Sequence, residues 1–192
     1  MRLLLFIISF CCAPLIVPAQ IPDFYKEYVT MEIRSGSVEI NGIYQLRNNE
    51  DFDQKIILSY PFPLDSLYGE VSHVYAFETV NDSTVNRLMA KSEKGAMVGI
   101  NMAAGSEKTL YIGYVQKLKS NKAEYILTTT KKWNKPLESS QLELIVPVDY
   151  LVEHISYQPV DTIVSDDKIH YFIQKRNFMP EWNLIVWFRA SE

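Results

Sequence analysis

Cysteine is almost missing from this chain, and the position of the two that exist decides what their scarcity means. Cys11 and Cys12 both sit inside the apolar run Leu3–Ile16. Beyond residue 12 there is no thiol, so the rest of the chain can form neither a disulfide nor a cysteine-ligated metal site. Histidine is equally sparse. His73, His154 and His170 are far apart, with no HxH or HExxH spacing, so no zinc motif exists in the sequence and each reads as a structural or surface residue. Glycine occurs seven times, never in the pattern of a phosphate loop or a nucleophile elbow. Gly36-Ser37 and Gly105-Ser106 lack the second glycine of G-x-S-x-G, and Gly95-Ala96-Met97-Val98-Gly99 has no strand–turn–helix context. Basic patches are missing too. Lysines stand singly or in short pairs such as Lys131-Lys132, and the formal charge is −4. That excludes the electrostatic footprint of a nucleic-acid binder and the basic amphipathic helix of a membrane-surface protein.

What is present begins with MRLLLFIISFCCAPLIVPA. Arg2 forms a short basic region, an apolar stretch follows, and Val17-Pro18-Ala19 places suitable residues before a cleavage point. This layout is that of a secretory signal peptide, too short and too weakly flanked for a membrane span. Lipidation fits poorly, because Phe10 and not a small residue precedes Cys11. Cleavage after Ala19 is expected, leaving residues 20–192 as a secreted or periplasmic β-sandwich domain with no membrane span. With Arg2 removed the charge becomes −5, since no other charged residue lies in 1–19.

The remaining sequence alternates with period 2 and is rich in β-branched and aromatic residues, which predicts strands throughout. Strands are expected at Tyr28–Arg34, Ser37–Arg47, Lys55–Tyr60, Val71–Val80, Val85–Ser92 and Ala96–Met102. Others follow at Lys108–Leu118, Glu124–Thr130, Gln141–Val146, Val152–Tyr157, Lys168–Lys175 and Asn183–Arg189. Turn chemistry punctuates them at Ser35-Gly36, Asn48–Asp51, Asn81-Asp82-Ser83, Ala104-Gly105-Ser106 and Ser165-Asp166-Asp167. Within Ser37–Arg47, Gly42 marks a bulge or a close backbone contact. No window keeps a helical stripe. The expectation is an all-β, antiparallel sandwich, immunoglobulin-like or VIT-like, as one domain or two closely packed lobes.

The stretch Gly42-Ile43-Tyr44-Gln45-Leu46-Arg47-Asn48, followed by Ile57-Leu58-Ser59-Tyr60-Pro61-Phe62-Pro63-Leu64-Asp65, resembles the opening of VIT domains of inter-α-trypsin inhibitor heavy chains. Uncharacterised secreted bacterial sandwich domains have a similar opening. There it is followed by a strand like Tyr125–Thr130, a Trp-x-x-Pro loop like Trp133 to Pro136, and a strand ending in proline like Leu144–Pro147. The resemblance spans about residues 37–147. It implies a sandwich that binds other proteins or matrix, and it supplies no active-site residues.

No catalytic set emerges from the residues. Glu39, Asp65, Glu70, Glu78 and Glu143 could be paired for glycoside cleavage, but most alternate with apolar neighbours as a solvated strand face does. Asn48, Asn49, Glu50, Asp51 and Asp53 offer oxygen ligands, yet their spacing is that of a polar turn and not of a calcium loop. No metal and no cofactor is expected. The candidate binding surface consists of the aromatics in or beside connections, Trp133, Trp182, Phe178 and Tyr68. The expected role is a non-catalytic module for a protein partner or cell-envelope component. A carbohydrate-binding or glycoside-acting role is the alternative.

Overall fold

The computed structural model describes residues 21–191. The expected signal peptide, with Cys11, Cys12 and the cleavage point after Ala19, lies outside the described residues. The fold is all-β. One eight-stranded sheet carries two smaller sheets of three strands each. Across the large sheet the order is β12 (Asp161–Ser165), β13 (Lys168–Phe178), β10 (Leu137–Pro147) and β1 (Asp23–Arg34). It continues with β2 (Ser37–Arg47), β8 (Glu107–Leu118), β4 (Tyr68–Val80) and β5 (Ser83–Asn86). The first small sheet is β3 (Gln54–Pro61), β7 (Gly95–Met102) and β6 (Leu88–Ser92). The second is β11 (Tyr150–Ile155), β14 (Leu184–Ala190) and β9 (Lys122–Tyr125).

The alternation read from the sequence sets the faces. In β2, Val38, Ile40, Gly42, Tyr44 and Leu46 are buried, while every intervening residue is partly exposed. Val29, Met31 and Ile33 of β1, Leu110 and Ile112 of β8, and Leu142, Leu144 and Val146 of β10 continue the same inward face. They join the inner residues of both small sheets, such as Val98, Ile100, Leu184 and Val186, in one core. Each fully buried aliphatic side chain contributes about 1.5–3 kcal/mol. The outer face of the large sheet is polar and aromatic. There Glu143 of β10 accepts from the Tyr28 hydroxyl of β1 and meets His170 Nδ1 of β13 at 2.7 Å, tying three strands together.

Several expectations need correction. The sheets are mostly antiparallel, but β1 and β10 run parallel. The crossover between them is most of the chain, so no tight turn dictates their relative direction. The stretch Val85–Ser92 is two strands in different sheets. It switches at Arg87, whose N–H donates to Ala76 O and whose carbonyl accepts from the Gly99 N–H. The strand expected at Glu124–Thr130 ends at Tyr125 and gives way to a 3₁₀ helix, Thr128–Trp133. The reason is Asn183: its Oδ1 accepts from the N–H groups of Leu127 and Thr128 and from the Thr128 hydroxyl, diverting donors a continuing strand would use. Strand β12 escaped the sequence reading because every residue in it is exposed, so it carries no inward–outward contrast. Gly42 makes no bulge, since the β1–β2 pairing runs evenly through it.

Candidate functional site

A pocket of about 270 Å³ opens where the two small sheets fail to meet over the inner face of the large one. β3 borders it with consecutive residues from Ile56 to Pro61, and among the described residues β3 pairs only with β7, leaving this edge without a strand neighbour. Opposite stand Tyr125 of β9 and the 3₁₀ helix residues Thr129, Thr130, Lys132 and Trp133. Phe24, Glu27, Tyr44 and Leu46 from β1 and β2 line it from the large sheet, with Ile21 and Ile126 beside them. Phe24 packs against Trp133 at 5.8 Å and against Tyr44 at 5.9 Å between ring centroids, forming an aromatic wall. The pocket is a concave apolar site with a few convergent polar groups, the usual form of a ligand site.

Those polar groups come from all three sheets. Tyr44 belongs to the large sheet, Tyr60 to the first small sheet and Tyr125 to the second. The Tyr44 hydroxyl lies 2.8 Å from that of Tyr60 and 2.9 Å from that of Tyr125. All three rings are buried. Burial, reinforced by neighbouring phenols, holds their pKa values well above the ordinary tyrosine range, so the hydroxyls remain neutral. Glu27 lies beside them. It is the cross-strand neighbour of Tyr44 on β2 and of Ser140 on β10, and shares the inward phase of Val29, Met31 and Ile33.

Glu27 is 5% exposed, and its Oε1 accepts a 2.7 Å hydrogen bond from the Ser140 hydroxyl. Burial pushes its carboxyl up to about 7, the serine bond offsetting part of the shift. Among the described residues no cation forms an ion pair with it. A buried carboxyl raised toward neutrality at a pocket makes Glu27 a candidate functional residue.

The aromatics chosen from the sequence divide between two places. Trp133 does line this pocket, as the last residue of a 3₁₀ helix and not in the open loop expected. Trp182 and Phe178 sit apart from it, around Tyr157. Trp182, 48% exposed, stacks on the Tyr157 ring at 5.6 Å, and Phe178 meets the same ring edge-on at 5.5 Å. The Tyr157 hydroxyl donates to Trp182 O and the Trp182 indole donates to Ser156 O, which fixes this cluster as a corner of the sandwich. Tyr68 is not a surface residue. It is 5% exposed, donates to Glu124 Oε2 at 2.6 Å, and has Lys122 Nζ 5.3 Å from its ring.

The polar turn after β2 is occupied by its own bonds. Asn48 Nδ2 donates to the carbonyls of Phe52 and Ala103, and Asp53 accepts from the Ala104 N–H. Among the described residues no group of three or more His, Cys, Asp or Glu is placed to hold a metal ion.

Sequence reasoning missed Glu27, Tyr44, Tyr60 and Tyr125. A signal for two of them existed. Tyr44 is in phase with Val38, Ile40 and Leu46, and Glu27 would have been in phase with Val29 and Met31 had the first strand been begun before Tyr28.

No family model matches the sequence, and no curated protein matches it either. Solved structures do share the fold. A protein of Legionella pneumophila provisionally described as nutrient-binding superposes with a TM-score of 0.67 at 14% identity, covering 87% of this chain and 66% of its own. An M1 zinc metallopeptidase from Deinococcus radiodurans superposes with a TM-score of 0.53 at 12% identity, covering 86% of this chain and 42% of its own. Its E323A mutant bound to a Tyr-Ser-Ala substrate gives 0.54 at 11% identity, with the same coverage. The chain thus spans under two thirds of each of these proteins, and the likeness is one of fold.

Proposed function

We propose that this chain is a non-catalytic, secreted or periplasmic β-sandwich binding module whose ligand seats in the pocket between β3, β9 and the 3₁₀ helix. The observation that carries the reading is the polar floor at the bottom of an apolar, ready-made recess: Glu27, Tyr44, Tyr60 and Tyr125, converging from four strands. A buried carboxyl with no ion-pair partner among the described residues costs stability that an aliphatic side chain would not, so a pocket built around it fits selection for binding. The Legionella neighbour's description fits the same reading, and so does a sandwich occurring as part of larger chains. The motif order resembling VIT domains, which implies a binding sandwich, adds to it.

The test is thermal unfolding of the protein against a panel of small amphipathic molecules, repeated on Leu58→Trp, which fills the pocket from β3. A raised midpoint in the wild type that disappears in Leu58→Trp is the expected result. Shifts that persist in the variant would move the ligand site elsewhere and overturn the proposal.

A second reading is capture of an extended protein segment. It is favoured by the edge of β3 beside the pocket, which pairs with no strand among the described residues and where a segment could add. A cross-linking pull-down from envelope fractions, with a partner lost on Leu58→Trp, would support it over the small-molecule form. The carbohydrate alternative is weaker, because Trp182, its most exposed aromatic among the candidates, already has one ring face stacked on Tyr157.

A further inference from the structure

We propose that the pocket recognises a primary ammonium group on a compact apolar body, with Glu27 as counter-ion and the Tyr44, Tyr60 and Tyr125 hydroxyls as further acceptors. This rests on the reading of the pocket as the ligand site and specifies the class of ligand.

The argument is one of hydrogen-bond capacity. Three tyrosine hydroxyls bring three O–H donors, and the bonds from Tyr44 to Tyr60 and Tyr125 occupy two of them. With Glu27 ionised, at most one donor of this floor is left to face a ligand, whereas each of the three oxygens and the carboxylate can accept. Ser140 approaches Glu27 from the strand side and spends its own donor there. The floor therefore has an excess of acceptors. An ammonium matches it, with three donors and no acceptor. A ligand carboxylate seated on this floor would meet at most the one tyrosine donor there and ionised Glu27 as a like charge, the Thr129, Thr130 and Lys132 donors standing opposite on the 3₁₀ helix.

Ring chemistry points the same way. Phe24, Tyr44, Tyr60, Tyr125 and Trp133 line the recess, and aromatic rings attract a cation placed over a face. Apolar Leu46, Ile56 and Leu58 meanwhile provide for a hydrocarbon body. Besides Glu27, the charged residue lining the pocket among the described residues is Lys132, exposed on the 3₁₀ helix, and it forms no ion pair with Glu27.

The experiment compares three probes of one shape, 2-phenylethylamine, 2-phenylethanol and 3-phenylpropanoate, by calorimetric titration of the wild type, Glu27→Gln and Leu58→Trp. The amine should bind about tenfold or more tighter than the alcohol, as a charged hydrogen bond requires, with the acid weakest. Glu27→Gln should erase the preference and leave the alcohol within about twofold, as the amide keeps the size of the carboxyl. Alcohol and amine binding equally to the wild type would overturn the ammonium assignment while leaving the pocket as ligand site. Amine binding that survives Leu58→Trp, or no binding by any probe, would overturn both.

Discussion

The phenol of Tyr44 occupies the space that a side chain at Gly42 would take. A Cβ built at Gly42 would overlap the Tyr44 hydroxyl and ring, so the ring lies back along its own strand over a residue with no side chain. Glycine in mid-strand usually weakens a sheet, and here it is the condition for placing a hydroxyl at the meeting point of three sheets. Gly42→Ala should therefore cost about 1–3 kcal/mol through overpacking and displace the Tyr44 hydroxyl from Tyr60 and Tyr125. Denaturant unfolding measures the first effect. Loss of pocket ligand binding at temperatures where the variant remains folded measures the second.

The raised carboxyl of Glu27 implies a pH dependence of stability with a definite sign. Its folded carboxyl titrates near 7 against about 4.5 when free, so the folded state holds its proton more tightly. Its stabilising proton is fully held below about 4.5, and stability falls as pH rises through 7. The 2.5-unit difference corresponds to about 3 kcal/mol. Wild type minus Glu27→Gln, in unfolding free energy between pH 4.5 and 8, should show this slope; a flat difference would refute the coupling.

The opposite slope should appear in acid. Burial disfavours ionised Glu78, yet Arg87 and Lys108, the latter 2.5 Å away, outweigh it and hold the carboxyl below its usual range. Glu124, bonded by Tyr68, Asn183 and Lys122, is lowered in the same balance. Stability from both is present above the ordinary carboxylate range and lost as pH falls through their depressed values. Glu78→Gln should flatten the acid limb of the melting temperature below about pH 4.5 and lower the plateau above it by roughly 1–3 kcal/mol.

Tyr114 makes a contrasting case among the core phenols. Its ring packs against Phe62 at 4.7 Å, but its buried hydroxyl has no hydrogen-bond partner among the described residues. Tyr114→Phe should raise stability by about 1 kcal/mol or leave it unchanged, whereas Tyr44→Phe, which breaks two bonds, should lower it. Chemical denaturation of the pair decides this.

Trp133 should report occupancy of the pocket. Of the three tryptophans only Trp133 lines it. A ligand-induced change in tryptophan emission should vanish in Trp133→Phe and persist in Trp182→Phe. The reverse pattern would place the ligand on the Tyr157 corner.

Much of this architecture was legible in the order of residues. Alternation in Ser37–Arg47 fixes the inward side of β2, and the Ser35-Gly36 turn fixes its pairing with β1, because side-chain direction in a strand has period 2 and short turns enforce register. The lack of thiols beyond residue 12 and of metal-spaced histidines is read from the order of residues. What periodicity does not carry is which sheet a strand joins. It marks Tyr44 as inward, but Tyr44 and Tyr125, 81 positions apart, come within hydrogen-bond distance only when three sheets close on one core. The same closure decided that Tyr68 is buried and Trp182 stacked, and that the two small sheets leave a gap. It also put Glu27 at the bottom of that gap, where long-range packing, rather than the local pattern, turned an ordinary glutamate into a carboxyl that titrates near neutrality.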